Sequence, residues 1–276
     1  MPDPSGYDGF SRLIEGPDER IDLLRSALEI ASPEYESLDA GRYVGRLEEL
    51  AEELRPRFEE TADGQAQLGC ISRFLYDEKG FAGNSQDYYD LRNSYLNEVL
   101  ERRTGIPITL AIVYIELAAR LDLDVRGVGF PGHFLVKCPA GGETIVDPFD
   151  GRILTQEDCE TRFRAVVGDA LPFGPRYLEA SPKRGILARV LGNLKHIHLS
   201  HNDFERALGC SHRILLLLPD DPGELRDRGL LHARLECFAP AVADLERFLL
   251  FAPEDPAAQA VEAQLSKLRE RAYSVH

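Results

Sequence analysis

Apolar residues recur at helical spacing through most of the N-terminal third of the chain. Ile21, Leu23, Leu24, Ala27 and Leu28 form one stripe, and Leu47, Leu50, Ala51 and Leu54 form a second. Residues three and four apart share one helix face, so both stripes predict amphipathic helices, with Pro33 between them and Pro56 near the end of the second. Leu68, Ile71, Phe74 and Leu75 predict a third helix over 65–76. A polar, glycine-containing loop covers 77–87, and 91–103 reads as another helix. Thr104-Gly105-Ile106-Pro107 then breaks the pattern. Proline suits a first helical turn, where its missing N–H costs nothing. The segment 107–121 is apolar almost all round, which predicts a buried central helix.

The period then changes. Segments 125–130, 134–138 and 143–146 have strand-like content separated by glycine and proline, predicting about three antiparallel strands. A buried helix followed by such strands makes an α+β core, not a doubly wound sheet. From Gly185 onward the pattern is helical and repeats itself. Phe204 and Phe238, Ala207 and Ala241, Leu216 and Leu250, Pro219 and Pro253, and Pro222 and Pro256 all stand 34 residues apart. That period is the tetratricopeptide, helix–turn–helix signature. Gly229 falls at the motif's small position, where the first repeat has Lys195. The expected organisation is a loose arm over 1–18, a helical region plus core over 19–180, and all-α repeats over 181–276.

The strands carry the candidate chemistry. With Pro139-Ala140-Gly141 as a three-residue hairpin loop, Lys137 faces Glu143, Leu135 faces Ile145, Phe134 faces Val146, and His133 faces Asp147. Each is a favourable cross-strand pair. A carboxylate that orients an imidazole and raises its basicity is the base half of a catalytic triad.

Charge narrows the partners. The net charge is −15, and residues 1–90 hold 21 acidic against 9 basic residues, a net of −12. Such a surface repels phosphates, which excludes nucleic acid and anionic membrane as expected partners. The run from Ile106 to Ala119 is too short and too interrupted to span a bilayer. The Met1-Pro2-Asp3-Pro4 start lacks the features of a signal peptide. A cytoplasmic location is therefore expected. Cys70, Cys138, Cys159, Cys210 and Cys237 are scattered without a CxxC pair, which argues against a disulfide framework or structural zinc.

Longer motifs bring in a family. Asn93-Ser94-Tyr95-Leu96-Asn97-Glu98-Val99-Leu100 with Arg102, Gly105-Ile106-Pro107, Pro131-Gly132-His133-Phe134 and Asp147-Pro148-Phe149 resemble the bacterial SirB1 family. That family joins a transglutaminase-like (papain-like) core to tetratricopeptide repeats, and the resemblance covers roughly residues 20–255. Transglutaminase-like enzymes carry Gly-x-Cys-x-x-x-Ala at the start of the central helix, where this chain has Gly105-Ile106-Pro107-Ile108-Thr109-Leu110-Ala111. The resemblance therefore implies His133 as the catalytic histidine, Asp147 as the acid, and Pro107 where the nucleophilic cysteine would stand.

Two function classes follow. The first is a non-catalytic binding or scaffold protein, its cleft and repeats contacting protein or peptide partners without a cofactor. The second is a hydrolase or amide-bond enzyme that uses His133 and Asp147 with water, or Thr109, in place of a thiol. Asn97 and Glu98 are candidate binding residues reaching the same cleft. Glu98 with His133 and Asp147 lacks metal-ligand spacing, so no metal is expected.

Overall fold

The computed structural model describes residues 8–61, 64–140 and 143–274. They form two compact units, one spanning Leu13–Ile186 and the other joining the described residues up to Arg12 with those from Leu187 onward. Ahead of the first unit comes α1 (Asp8–Leu13). The unit itself contains α2 (Leu23–Glu29), α3 (Ala40–Glu59) and α4 (Gly64–Ser72), the last running on in π-helical turns over Arg73–Glu78. A short parallel pair, β1 (Ala82–Gly83) and β2 (Thr104–Gly105), flanks α5 (Leu96–Arg102). Then come α6 (Pro107–Arg120), β3 (Arg126–Val128), β4 (Leu135–Cys138), β5 (Thr144–Asp147), β6 (Arg152–Leu154) and α7 (Gln156–Val167). The four strands β3 to β6 form one antiparallel sheet in chain order.

Helix α6 is the centre of this unit. Pro107 through Tyr114, Leu117 and Ala118 are all buried, as an all-round apolar helix requires. It packs against α3, β3 and β4. Leu135 and Ile145 on one face of the sheet join Cys159 and Phe163 of α7. Every residue of β5 is buried, so this strand is covered on both faces.

The expected hairpin register is corrected. Val136 pairs with Val146, Lys137 with Ile145, and Cys138 with Thr144. The strands end at Cys138 and resume at Thr144, so the connection is longer than the predicted three residues. Residues 141 and 142 of it lie outside the described residues. The slip is two positions, and side chains alternate with period two, so every residue keeps its expected face. Lys137 Nζ still reaches Glu143 Oε1 at 3.3 Å.

Other departures have local causes. The helix expected over 91–103 is a 3₁₀ turn at Leu91–Asn93 followed by α5, because Tyr95 is extended (φ −87°, ψ 117°) and interrupts it. The arm expected to be loose lies partly outside the described residues. From residue 8 it is ordered, with Phe10 and Ile14 only 2% and 4% exposed. Asp18 explains the anchoring of its end, for its carboxylate accepts from the Lys183 and Arg184 N–H groups at 2.8 and 2.9 Å. That caps the first turn of α8 (Lys183–Ser200).

The second unit is helical, with α9 (Phe204–Leu217), α10 (Pro222–Arg234), α11 (Phe238–Phe251) and α12 (Ala258–Ser274) following α8. Helices α9 and α11 start one 34-residue period apart. Ala207 and Ala241 are 0% exposed. A Cβ at Gly229 would stand 2.8 Å from Leu245, so the small residue sits at a close helix approach. Lys195, its counterpart in the first repeat, is buried with its ammonium on Glu224 at 2.7 Å and Asp227 at 3.0 Å. Among the described residues, no helix is long and apolar enough to cross a membrane.

Ala207→Leu should overpack this contact and cost on the order of 1–3 kcal/mol. Thermal melting of the full chain measures it. An unchanged melting temperature would mean that the helices do not approach closely there.

Candidate functional site

His133 is delivered by a turn. Phe130-Pro131-Gly132-His133 closes with the His133 N–H donating to the Phe130 carbonyl at 3.1 Å, and Gly132 has φ 65°. Proline at the first central position and glycine with positive φ at the second suit a type II turn. The turn leaves His133 two residues ahead of β4, and Asp147 ends β5. Their side chains meet diagonally, His133 Nε2 to Asp147 Oδ1 at 2.8 Å.

Two more donors complete the carboxylate. The Phe149 N–H donates to Oδ1 at 2.9 Å, and Arg162 Nη1 of α7 reaches Oδ2 at 2.7 Å. Asp147 is 1% exposed. Burial pushes its carboxyl up. The hydrogen bond and charge of His133, the Phe149 N–H and the Arg162 charge outweigh that and hold it below the ordinary carboxylate range. An ionised Asp147 accepts from His133 Nε2, which therefore carries a proton.

The turn after Asp147 is fixed from below. Tyr76 Oη donates to the Pro148 carbonyl at 2.5 Å, and a Cβ on Gly151 (φ 75°) would collide with the Tyr76 ring. Burial raises the Tyr76 hydroxyl well above its usual value, with nearby Tyr114, Asp147 and Asp150 adding to the shift.

Phe149 connects the pair to the start of α6. Its ring stands edge-on to His133 with centroids 6.3 Å apart. It also lies so close to Gly83 that a Cβ there would fall 2.2 Å from the ring. Gly83 pairs with Gly105, two residues before Pro107. Pro107 occupies the first position of α6 and is buried.

The profile described as the transglutaminase-like superfamily matches residues 41–192, and a tetratricopeptide-repeat profile matches 194–266. A UPF0162 protein of Xylella fastidiosa (strain 9a5c) is 39% identical over 264 residues, covering 94% of both chains. Protein SirB1 of Salmonella typhimurium is 28% identical over 233 residues, 83% of this chain and 86% of that one. The chain belongs to the SirB1 (UPF0162) family of transglutaminase-like proteins. A solved structure of menin aligns with 90% of this chain and 69% of its own, at TM-score 0.40 and 11% identity, which is too weak for any argument.

The remaining sequence-predicted residues of this SirB1-family chain lie elsewhere or are otherwise engaged. Thr109 is 0% exposed. Its hydroxyl contacts the Asn93 and Ile106 carbonyls at 2.7 and 3.1 Å and accepts from the Ile106 N–H at 3.2 Å. It thus caps α6 from within. Asn97 lines a different pocket, to which neither His133, Asp147 nor Pro107 contributes, and Glu98 bonds Tyr35 beside it. Both residues are thus placed beside Tyr35. They belong to α5, whose start Tyr95 redirects. Cys159 is buried in α7, where burial and then the Asp158 charge raise its thiol to about 11. Arg162 is missing from the sequence reading, although the Thr155–Asp158 capping box, Cys159 and Phe163 four residues apart, and Gly168 just past the end all mark α7. Among the described residues, no cluster of three or more His, Cys, Asp or Glu is placed to hold a metal.

Asp147 gives the first unit an acid-sensitive joint. Its folded value lies below the unfolded value of about 3.9. Its contribution is therefore complete above about pH 4 and is lost as pH falls through the folded value. Asp147→Asn should lower stability at neutral pH by up to about 3 kcal/mol, since Arg162 is partly exposed and can rehydrate. It should also flatten the acid limb. Denaturant unfolding across pH measures both, and parallel curves for the two proteins would mean that Asp147 contributes no charge to the fold.

Proposed function

We propose that this SirB1-family chain is a non-catalytic, cytoplasmic binding protein whose transglutaminase-like cleft and tetratricopeptide repeats contact protein or peptide partners. The observation that carries the reading is Pro107 at the first position of α6, where the superfamily motif has its cysteine. Proline has no nucleophilic atom. A thiolate elsewhere would need a helix N-terminus or cationic neighbour to lower its pKa, and Cys159 is shifted the other way. Thr109 is a poor substitute, since its hydroxyl is buried within three contacts. The repeats supply the usual equipment for protein contact, as stacked helix pairs present an extended surface.

One observation favours the second reading, a hydrolase acting through water. The His133–Asp147 bond of 2.8 Å keeps the base half of a triad assembled. The two readings differ in turnover. Under the binding reading, generic amide and ester substrates are not turned over above background, with or without iodoacetamide. Turnover blocked by iodoacetamide would overturn it. Turnover insensitive to iodoacetamide but lost in His133→Ala would establish the water-based enzyme.

The vestigial-triad reading also predicts that Pro107→Cys gains a reactive thiol. Helix N-terminal potential and a His133 oriented by Asp147 should together lower its pKa below the free value of about 8.5. The measurement is the pH dependence of alkylation in a background lacking the five native cysteines, with His133→Ala added as control. A thiol that titrates like free cysteine in both would leave the cleft as transglutaminase-like in fold alone.

A further inference from the structure

Helices α9, α10 and α11 enclose a cluster of titratable side chains in the repeat unit. His212 of α9 and His232 of α10 meet edge to face, with ring centroids 5.5 Å apart. Arg228, one turn before His232, donates to both oxygens of Asp244 on α11, each at 2.7 Å. His232 and Asp244 are 7% and 4% exposed. The His232 Nε2 stands 4.0 Å from Asp244 Oδ2, beyond hydrogen-bond range. Its Nδ1 has no hydrogen-bond partner among the described residues. A neutral imidazole carries one N–H and one lone pair, whereas an imidazolium has two N–H donors. In this place neither donor of a charged His232 would have an acceptor within reach. A buried ion so poorly paired is avoided by losing the proton or by opening the packing.

The charges facing the pair act in the same direction. Burial and then the Arg228 charge push His212 down to about 4, with His232 and Arg213 adding to the shift and Asp244 opposing it. Burial also lowers His232, where Asp244 opposes the shift and Arg228 adds to it. Lys195 of α8, nearer the start of α10, is matched by Glu224 and Asp227. Both imidazoles therefore have folded values below the unfolded value of about 6.5. Between those values the unfolded chain binds more protons than the folded one, so stability falls as pH drops through this window. Above about pH 6.5 the contribution is complete. Asp147 keeps its contribution to the first unit down to about pH 4, so these groups act on the two units in different pH ranges.

We propose that the His212–His232 pair is an acid-sensitive joint, which loosens the packing of α9, α10 and α11 in mild acid while the Leu13–Ile186 unit stays closed. The unbonded Nδ1 of His232 and the Arg228–Asp244 pair beside it make the neutral rings fit and the charged rings misfit. The joint shares no residue with the His133–Asp147 pair and does not depend on what either unit binds.

Hydrogen exchange of the full-length protein at about pH 7.5 and about pH 5, read by mass spectrometry and corrected for the intrinsic pH dependence of exchange, tests it. Peptides from 204–251 should show an opening constant about tenfold larger or more in acid, since each such histidine contributes up to about tenfold per pH unit. Peptides from 107–154 should change less than about threefold, because Asp147 is still ionised there. His212→Phe and His232→Phe fill the same space without a titrating ring. Together they should bring the response of 204–251 down to that of 107–154. Where either phenylalanine alters exchange at neutral pH, His212→Gln with His232→Gln takes its place. An equal response of the two units in the wild-type protein, or a response of 204–251 that persists in the double variant, overturns the proposal.

Discussion

A single buried carboxylate holds together three parts of the first unit. Asp147 sits at the end of β5 and takes donors from the turn before β4, from its own following turn and from α7. Stripping an ion of water costs several kcal/mol unless its oxygens are paired. Each of these donors is therefore a condition for the others. Remove the turn that presents His133, or the helix that presents Arg162, and the carboxylate becomes an under-paired buried charge. The same requirement explains the attention paid to the turn beyond it. Tyr76 grips Pro148, Gly151 yields room for the Tyr76 ring, and Phe149 lies flush on Gly83.

The imidazole of His133 is held by the buried carboxylate, and α6 begins with Pro107, which has no nucleophilic atom. A hydrogen-bonded His–Asp pair can persist because it satisfies a buried charge, with no demand for turnover. The repeats show how the fold absorbs an irregular residue, since Lys195 stands where Gly229 stands one period later and is neutralised by Glu224 and Asp227 instead of expelled.

Much of this was legible in the chain. The 34-residue period marked α9 and α11, and Ala207 and Ala241 are buried at the same helix position, whereas Leu216 and Leu250 are both exposed. The all-round apolar pattern of 107–121 marked α6, since such a helix has nowhere to go but the interior. The Pro-Gly dipeptide announced the turn before His133. The face on which His133 and Asp147 meet was also readable, although the register was not. Period-two alternation survives a slip of two, whereas the slip itself depends on the length and conformation of a glycine-containing loop.

What the sequence determined by itself was therefore the set of elements with strong periodicity, the family, and the identity of the histidine–aspartate pair. Tertiary structure alone decided which distant groups complete that pair and which do not. Arg162 lies on a helix with a narrow apolar face, and only the folded chain brings its guanidinium to Asp147. Asn97 and Glu98 lie on a helix that starts after the extended Tyr95, and both bond Tyr35, some sixty residues earlier in the chain. Local propensity reports what a segment can form. The partner of a buried polar group depends on what else packs there, and that is a property of the whole fold.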